Sequence, residues 1–138
     1  MRHLSDIVRY QHPLVLPPSA TVRHACQRMR QRKVGAVLVA DQDGRLLGIF
    51  TGRDAIGRVL ADGRDPEKTA ISEVMTANPR TVPPGHSAID ALRVMFDVGC
   101  RHIPIVDNER IVGVVSKADF LGLELDRLDE ETGVWDRR

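Results

Sequence analysis

Several residue types and patterns are scarce in this 138-residue chain, and each scarcity removes a class of function. Aromatic side chains make up 4% of it, too few for the stacking platforms on which single-stranded nucleic acids lie. The 20 lysines and arginines are matched by 19 acids, for a formal net charge of +1. No broad cationic face is therefore on offer to a polyanion, and no nucleic-acid partner is expected. No apolar run is long enough to cross a bilayer, and the opening MRHLSDIV lacks the apolar region of a secretion signal. The chain is expected to be cytoplasmic, with no membrane partner. Cys26 and Cys100 are far apart and both fall in helical patterns, which suits reduced core thiols better than a disulfide. Neither they nor the five histidines sit at metal-ligand spacing. P-loop, dinucleotide fingerprint and nucleophile–base motif are all missing, so no catalytic residue, metal or cofactor is expected.

What is present is a repeat. Pro13 matches Pro79, Pro17-Pro18 matches Pro83-Pro84 and Met29 matches Met95, all at one constant offset. Past the next turn the offset shortens by one residue, as in Gly48 with Gly113 and Asp54 with Asp119. The change is local, because DQDGRLLG in the first copy is DNERIVG in the second. The copies match over residues 4–61 and 71–125, nearly the whole chain. The expected organisation is a first repeat over 1–61, a linker over 62–70 rich in charge and helix breakers, a second repeat over 71–128 and a tail over 129–138.

Each copy reads β-α-β-β-α. A short extended piece (LVLPP, RTVPP) ends at two prolines. An amphipathic helix follows, with Val22, Ala25, Cys26 and Met29 on one face in the first copy and Ala88, Ala91, Leu92 and Met95 in the second. Ser87 and Asp90 form a helix-start signal. Two β-type runs come next, AVLVA and LLGIF, then HIPIV and IVGVV. A second helix closes each copy, over about 54–61 and 118–128. The expected fold class is α+β: two such units, each too small to cover both faces of a three-stranded sheet, packed together with pseudo-twofold symmetry.

One phrase is conserved between the copies: GIFTGRD at 48–54 and GVVSKAD at 113–119. It falls where a strand ends and a helix begins, where free N–H groups and the positive end of the helix dipole favour a phosphate. Thr51 and Ser116 add a hydroxyl. Asp54 and Asp119 add a carboxylate that can accept hydrogen bonds from ribose hydroxyls. Arg53 and Lys117 add positive charge. The same spacing also describes a capping box, a purely structural helix start. Both readings stand on the residues alone.

The two copies resemble CBS domains, the cystathionine-β-synthase regulatory module, and the tandem resembles the pair called a Bateman module. The second copy carries the likeness in ISEVMTANPRTVPPGHSAIDALRVM, CRHIPIVD and RIVGVVSKADF, the first in LPPSATVRHACQRM, VGAVLVAD and LLGIFTGRD. In that family the hydroxyl and the aspartate hold the phosphate and ribose of adenosine-type ligands. The resemblance therefore implies Thr51 and Asp54 in one site and Ser116 and Asp119 in the other. Family members often carry basic residues at the position of Arg101 and His102, where the first copy has Gly35-Ala36. The first copy also has Leu38 where the second has Pro104. Arg101 on a solvated surface, and His102 pointing away from the core, are the structural alternatives.

What the resemblance implies for function is a stand-alone regulatory module. It would bind AMP, ADP, ATP or S-adenosylmethionine in clefts between the two repeats and signal in trans to an effector protein. A structural or interaction protein with non-functional ligand sites is the alternative. A homodimer is expected, using apolar Ile56, Val59 and Leu60 of one closing helix and Phe120, Leu121 and Leu125 of the other. The tail contributes the only tryptophan, Trp135, as a frayed end or as a cover for a seam. Only the second copy has Arg101 and His102, so the two sites are expected to differ in affinity.

Overall fold

The computed structural model describes residues 2–120 together with Gly122 and Glu124. Leu121, Leu125 and the tail with Trp135 lie outside the described residues. The chain divides into two compact units. One holds residues 12–80 and 108–111; the other holds the described residues among 1–11, 81–107 and 112–138. Units in space and copies in sequence are thus partitioned differently: residues 2–11 belong with the second copy's strands, and residues 71–80 with the first copy's.

In the first unit, β1 (Val15–Leu16) runs parallel to β2 (Ala36–Ala40), and β2 runs antiparallel to β3 (Leu46–Thr51). A further strand, β4 (Thr76–Ala77), adds antiparallel to β3 and makes the sheet four-stranded rather than three. Every residue of β2 is buried, as expected of a central strand whose run AVLVA is apolar throughout rather than alternating. Helix α2 (Val22–Arg32) starts where the Thr21 Oγ1 accepts from the His24 N–H at 3.1 Å. Its stripe of Val22, Ala25 and Met29 is buried against Phe50 and Ile71, with Cys26 half-buried at the edge of that core. Beyond β3 the chain turns through a short helix, Gly52–Asp54, and continues as a π-helical stretch, Ala55–Leu60. A 3₁₀ turn, Ile71–Glu73, precedes β4.

The second unit opens with a short helix, α1 (Leu4–Val8), the counterpart in the repeat of the 3₁₀ turn Ile71–Glu73. Helix α4 (Ala88–Val98) follows, where α3 denotes Gly52–Asp54. The Ser87 Oγ accepts from the Asp90 N–H at 3.1 Å, the predicted helix start. The helix ends at Gly99, in the left-handed region at φ 78°. Cys100 therefore lies beyond the helix and not in it. Strands β5 (His102–Asp107) and β6 (Arg110–Ser116) form a two-stranded sheet, joined by a single parallel bridge from Val82 to Ile105. The closing helix does not begin at Ala118. Lys117–Asp119 is one 3₁₀ turn and Phe120 is extended at φ −95°, ψ 144°, because its ring turns into the core beside Met95 and Ile103. Gly122 and Glu124 are helical. No described helix is long and apolar enough to cross a membrane.

Both units share one close approach. A Cβ on Gly48 would meet the Met75 sulfur and lie 2.8 Å from the Thr76 carbonyl oxygen. A Cβ on Gly113 would lie 2.6 Å from Val8 Cγ1 and 2.7 Å from Val8 Cβ. In each unit the segment leading into it crosses the strand at the glycine that opens the repeated phrase.

Two measurements follow from this packing. Gly113→Ala should lower stability by about 1–3 kcal/mol, the usual cost of overpacking a close contact, because Val8 is held through its own backbone; urea melts should show a lower midpoint with an unchanged slope. The other concerns the caps. Lys33 ends α2 in the left-handed region at φ 55°, where α4 uses glycine. Lys33→Gly should raise stability by roughly 0.5–1 kcal/mol by removing Cβ strain, and a melting temperature equal to or below the parent's would contradict it.

Candidate functional site

The two copies of the repeated phrase fold into the same turn. Thr51 leaves β3 at φ −123°, ψ 169°, and Ser116 leaves β6 at φ −123°, ψ 171°. In the first turn the Asp54 Oδ2 accepts from the Thr51 N–H at 2.9 Å and from the Thr51 hydroxyl at 3.2 Å. In the second the Asp119 Oδ2 accepts from the Ser116 N–H at 2.7 Å and from the Ser116 hydroxyl at 3.3 Å. The acid thus caps the strand end, and the hydroxyl donates to it. Both bonds fall on a single carboxylate oxygen in each case. A hydroxyl, a carboxylate and a helical first turn are brought together twice, as the spacing predicted.

Their neighbours differ. Beside the first turn, Arg58 Nε stands 3.7 Å from Asp54 Oδ1, and its Nη1 donates to the Val74 and Met75 carbonyls at 3.2 and 2.9 Å. The guanidinium therefore joins the aspartate to the segment leading into β4. Arg53 is exposed. Beside the second turn, Arg2 Nη2 donates to the Asp119 carbonyl oxygen at 2.8 Å and to Glu124 Oε1 at 2.7 Å. Lys117 and Arg101 are exposed.

His102, at the start of β5, is half-buried. Burial pushes its pKa below the ordinary histidine value; the nearby Asp119 carboxylate opposes the shift and Arg101 reinforces it. His102 is thus partly withdrawn from solvent and within electrostatic reach of Asp119. The thiols of Cys26 and Cys100 are both free, and burial pushes both upward, away from the thiolate that a nucleophile needs.

Arg58, Arg2 and Glu124 are the residues that sequence reasoning passed over. Arg58 was open to discovery, being one helical turn beyond Asp54. Arg2 was not, since the residues it ties lie more than a hundred positions away. A separate depression of about 390 Å³ at the start of α4 is lined by His3, His86, Asp90 and Arg93 among others and includes none of the predicted site residues. Among the described residues no group of three or more His, Cys, Asp or Glu could hold a metal ion.

Comparison with known proteins gives this geometry a family. The CBS domain family matches residues 4–61 and again 71–126. A CBS domain-containing protein of Arabidopsis thaliana, CBSCBSPB3, is 35% identical over 123 residues, 89% of this chain but 22% of the relative. The chain thus spans about a fifth of that relative's length. A CBS domain protein of Pyrobaculum aerophilum, solved in complex with AMP, superimposes with a TM-score of 0.83 at 25% identity, over 93% of this chain and 98% of that one. The CBS domain pair of protein MJ0100, solved with 5-methylthioadenosine and S-adenosyl-L-methionine, gives a TM-score of 0.76 at 25% identity over 85% of this chain and 94% of that one. With two family matches that each take in one of the two strand-to-helix turns, this α+β chain belongs to the CBS domain family, as a tandem pair of CBS domains.

Proposed function

We propose that this CBS pair is a regulatory module of the cytoplasm that binds adenosine-type compounds at its two strand-to-helix turns. Thr51 and Asp54 serve one site, with Arg53 nearby; Ser116 and Asp119 serve the other, with Lys117, His102 and Arg101. The observation that carries this reading is the duplicated turn, which sets a hydroxyl beside a carboxylate in two places with the same backbone angles. Hydroxyl and N–H groups suit a phosphate, and the carboxylate suits ribose hydroxyls. The AMP complex of the Pyrobaculum relative and the S-adenosyl-L-methionine complex of MJ0100 lend support, because both are CBS structures similar to this chain. No catalytic step is assigned. The output passes in trans to an effector protein.

A second reading has an observation of its own. In each turn one aspartate oxygen is already engaged by the strand end, so the box stands as a structural cap without any ligand. On that reading the chain is an interaction protein with silent sites.

Calorimetric titration with AMP, ADP, ATP and S-adenosylmethionine separates the two. Binding of at least one compound in two unequal classes is expected. Asp54→Ala and Asp119→Ala should each remove one class. Arg101→Ala should weaken one class more than tenfold and spare the other, since a charge-assisted phosphate contact is worth roughly 1.5–3 kcal/mol. If none of the four compounds binds, and the aspartate variants lose only the roughly 0.5–2 kcal/mol of a cap, the structural reading stands instead.

The module is further proposed to act as a homodimer. Val59 and Phe120, at 4% and 7% exposure, belong to the cores of their units, which removes them from the expected dimer face. Ile56 and Leu60 remain, 65% and 77% exposed, one turn apart on the stretch that follows Asp54. Apolar surface of that kind is commonly covered by a second copy. Light scattering of the parent at micromolar concentration should give a dimer mass, and the double variant Ile56→Glu, Leu60→Glu a monomer mass. A parent that is already monomeric would refute the dimer.

A further inference from the structure

The segment 2–11 grips the strand that presents Ser116 at two points. At one, the Gln11 side-chain oxygen accepts from the Val114 N–H at 3.0 Å, and Val8 fills the space that Gly113 leaves open. At the other, Arg2 holds the Asp119 carbonyl at 2.8 Å and the carboxylate of Glu124 at 2.7 Å. Glu124 is 8% exposed. A carboxylate so far from water needs a paired cation, so Arg2 is held in place by the charge it neutralises. The Arg2 guanidinium is raised above its ordinary pKa, chiefly by its hydrogen bond to Glu124. Backbone bonds complete the docking: Leu4 N–H to the His86 carbonyl at 2.9 Å, and Ala88 N–H to the Arg2 carbonyl at 2.9 Å.

We propose that Arg2 is a positioning residue for the Ser116–Asp119 site, and that docking of residues 2–11 and ligand occupancy of that site are linked. This rests on the reading of Ser116 and Asp119 as a ligand site and adds its regulation. The reasoning concerns the backbone of Asp119. The 3₁₀ turn is a single turn and the chain is extended straight after it, so helix hydrogen bonding does little to fix it. Arg2 bonds the carbonyl of the very residue whose carboxylate would hold the ribose. A ligand bound there needs the turn in place, and Arg2 keeps it in place. Whatever loosens the segment weakens the ligand, and the ligand strengthens the segment by the same factor, because linkage is reciprocal. Among the described residues no observed side-chain bond holds the Asp54 carbonyl in this way: Arg58, from the closing stretch itself, stands near the Asp54 carboxylate and donates to the Val74 and Met75 carbonyls. A signal carried by residues 2–11 would therefore report occupancy of the second site alone.

The test uses AMP and S-adenosyl-L-methionine as probes on the full chain. An Asp54→Ala background reads the second site, and an Asp119→Ala background reads the first. In the first background Arg2→Ala should weaken the probe that binds about fivefold or more, and Arg2→Lys should recover part of the loss. In the second background Arg2→Ala should leave affinity unchanged. Saturating probe should slow amide hydrogen exchange across residues 4–11 in the Asp54→Ala protein. Equal affinity with and without Arg2, an equal loss in both backgrounds, or exchange indifferent to the probe would each overturn the linkage while the ligand sites stood. If Asp119→Ala keeps both binding classes, or neither probe binds the parent, the site reading falls and the linkage falls with it.

Discussion

In each unit a segment crosses a β-strand so closely that the strand residue beneath it has no room for a Cβ. At Gly48 the obstacle is the Thr76 carbonyl and the Met75 sulfur; at Gly113 it is the side chain of Val8. The crossing decides much of what surrounds it. It lets β4 join β3 in the first unit, pairing Gly48 with Ala77. It brings Leu4 and Val8 into the second unit's core beside Met95 and Phe120. It also orients the turn that follows. Glycine and hydroxyl residue are three positions apart, and an odd spacing on a strand sends them to opposite faces. The face used for the crossing is thus kept distinct from the strand end that carries Thr51 or Ser116.

Under the proposed function the turn combines two roles that need not compete. An aspartate one turn into a helix satisfies the N–H of the strand's last residue, which the ladder has left behind. That task occupies one carboxylate oxygen. Capping therefore keeps the carboxylate oriented, and orientation is what a binding group requires before its ligand arrives. The duplicated turn is a fixed scaffold, and the variable part lies around it: Arg58 beside Asp54, and Arg2 and His102 beside Asp119. A pair of sites built on one turn can in this way become unequal without altering the turn.

Much of this was legible in the chain alone. The helix stripes at Met29 and Met95, the strand runs and the matched phrases depend on local periods of 3.6 and 2, which a sequence displays directly. The repeat made each reading a check on the other. The failures have local causes too. Gly99 sits where a helix would end, and reading it as a left-handed cap would have placed Cys100 outside α4. Phe120 followed a helical pattern but was claimed by the core, since burying its ring outweighs one turn of helix. The two-residue strand β4 is too short for any period to announce it.

The sequence by itself determined the family, the two-copy plan and the presence of hydroxyl and aspartate at each strand end, because those follow from residue types at short spacing. Only the tertiary structure decided which segment completes which unit, that Val59 and Phe120 are core and not surface, and that Arg2 closes on Asp119 and Glu124. Those contacts join residues more than a hundred positions apart. Nothing in the local pattern of an arginine or a glutamate names its partner. That choice is made by burial, which takes the Glu124 carboxylate largely out of water and favours a paired cation beside it.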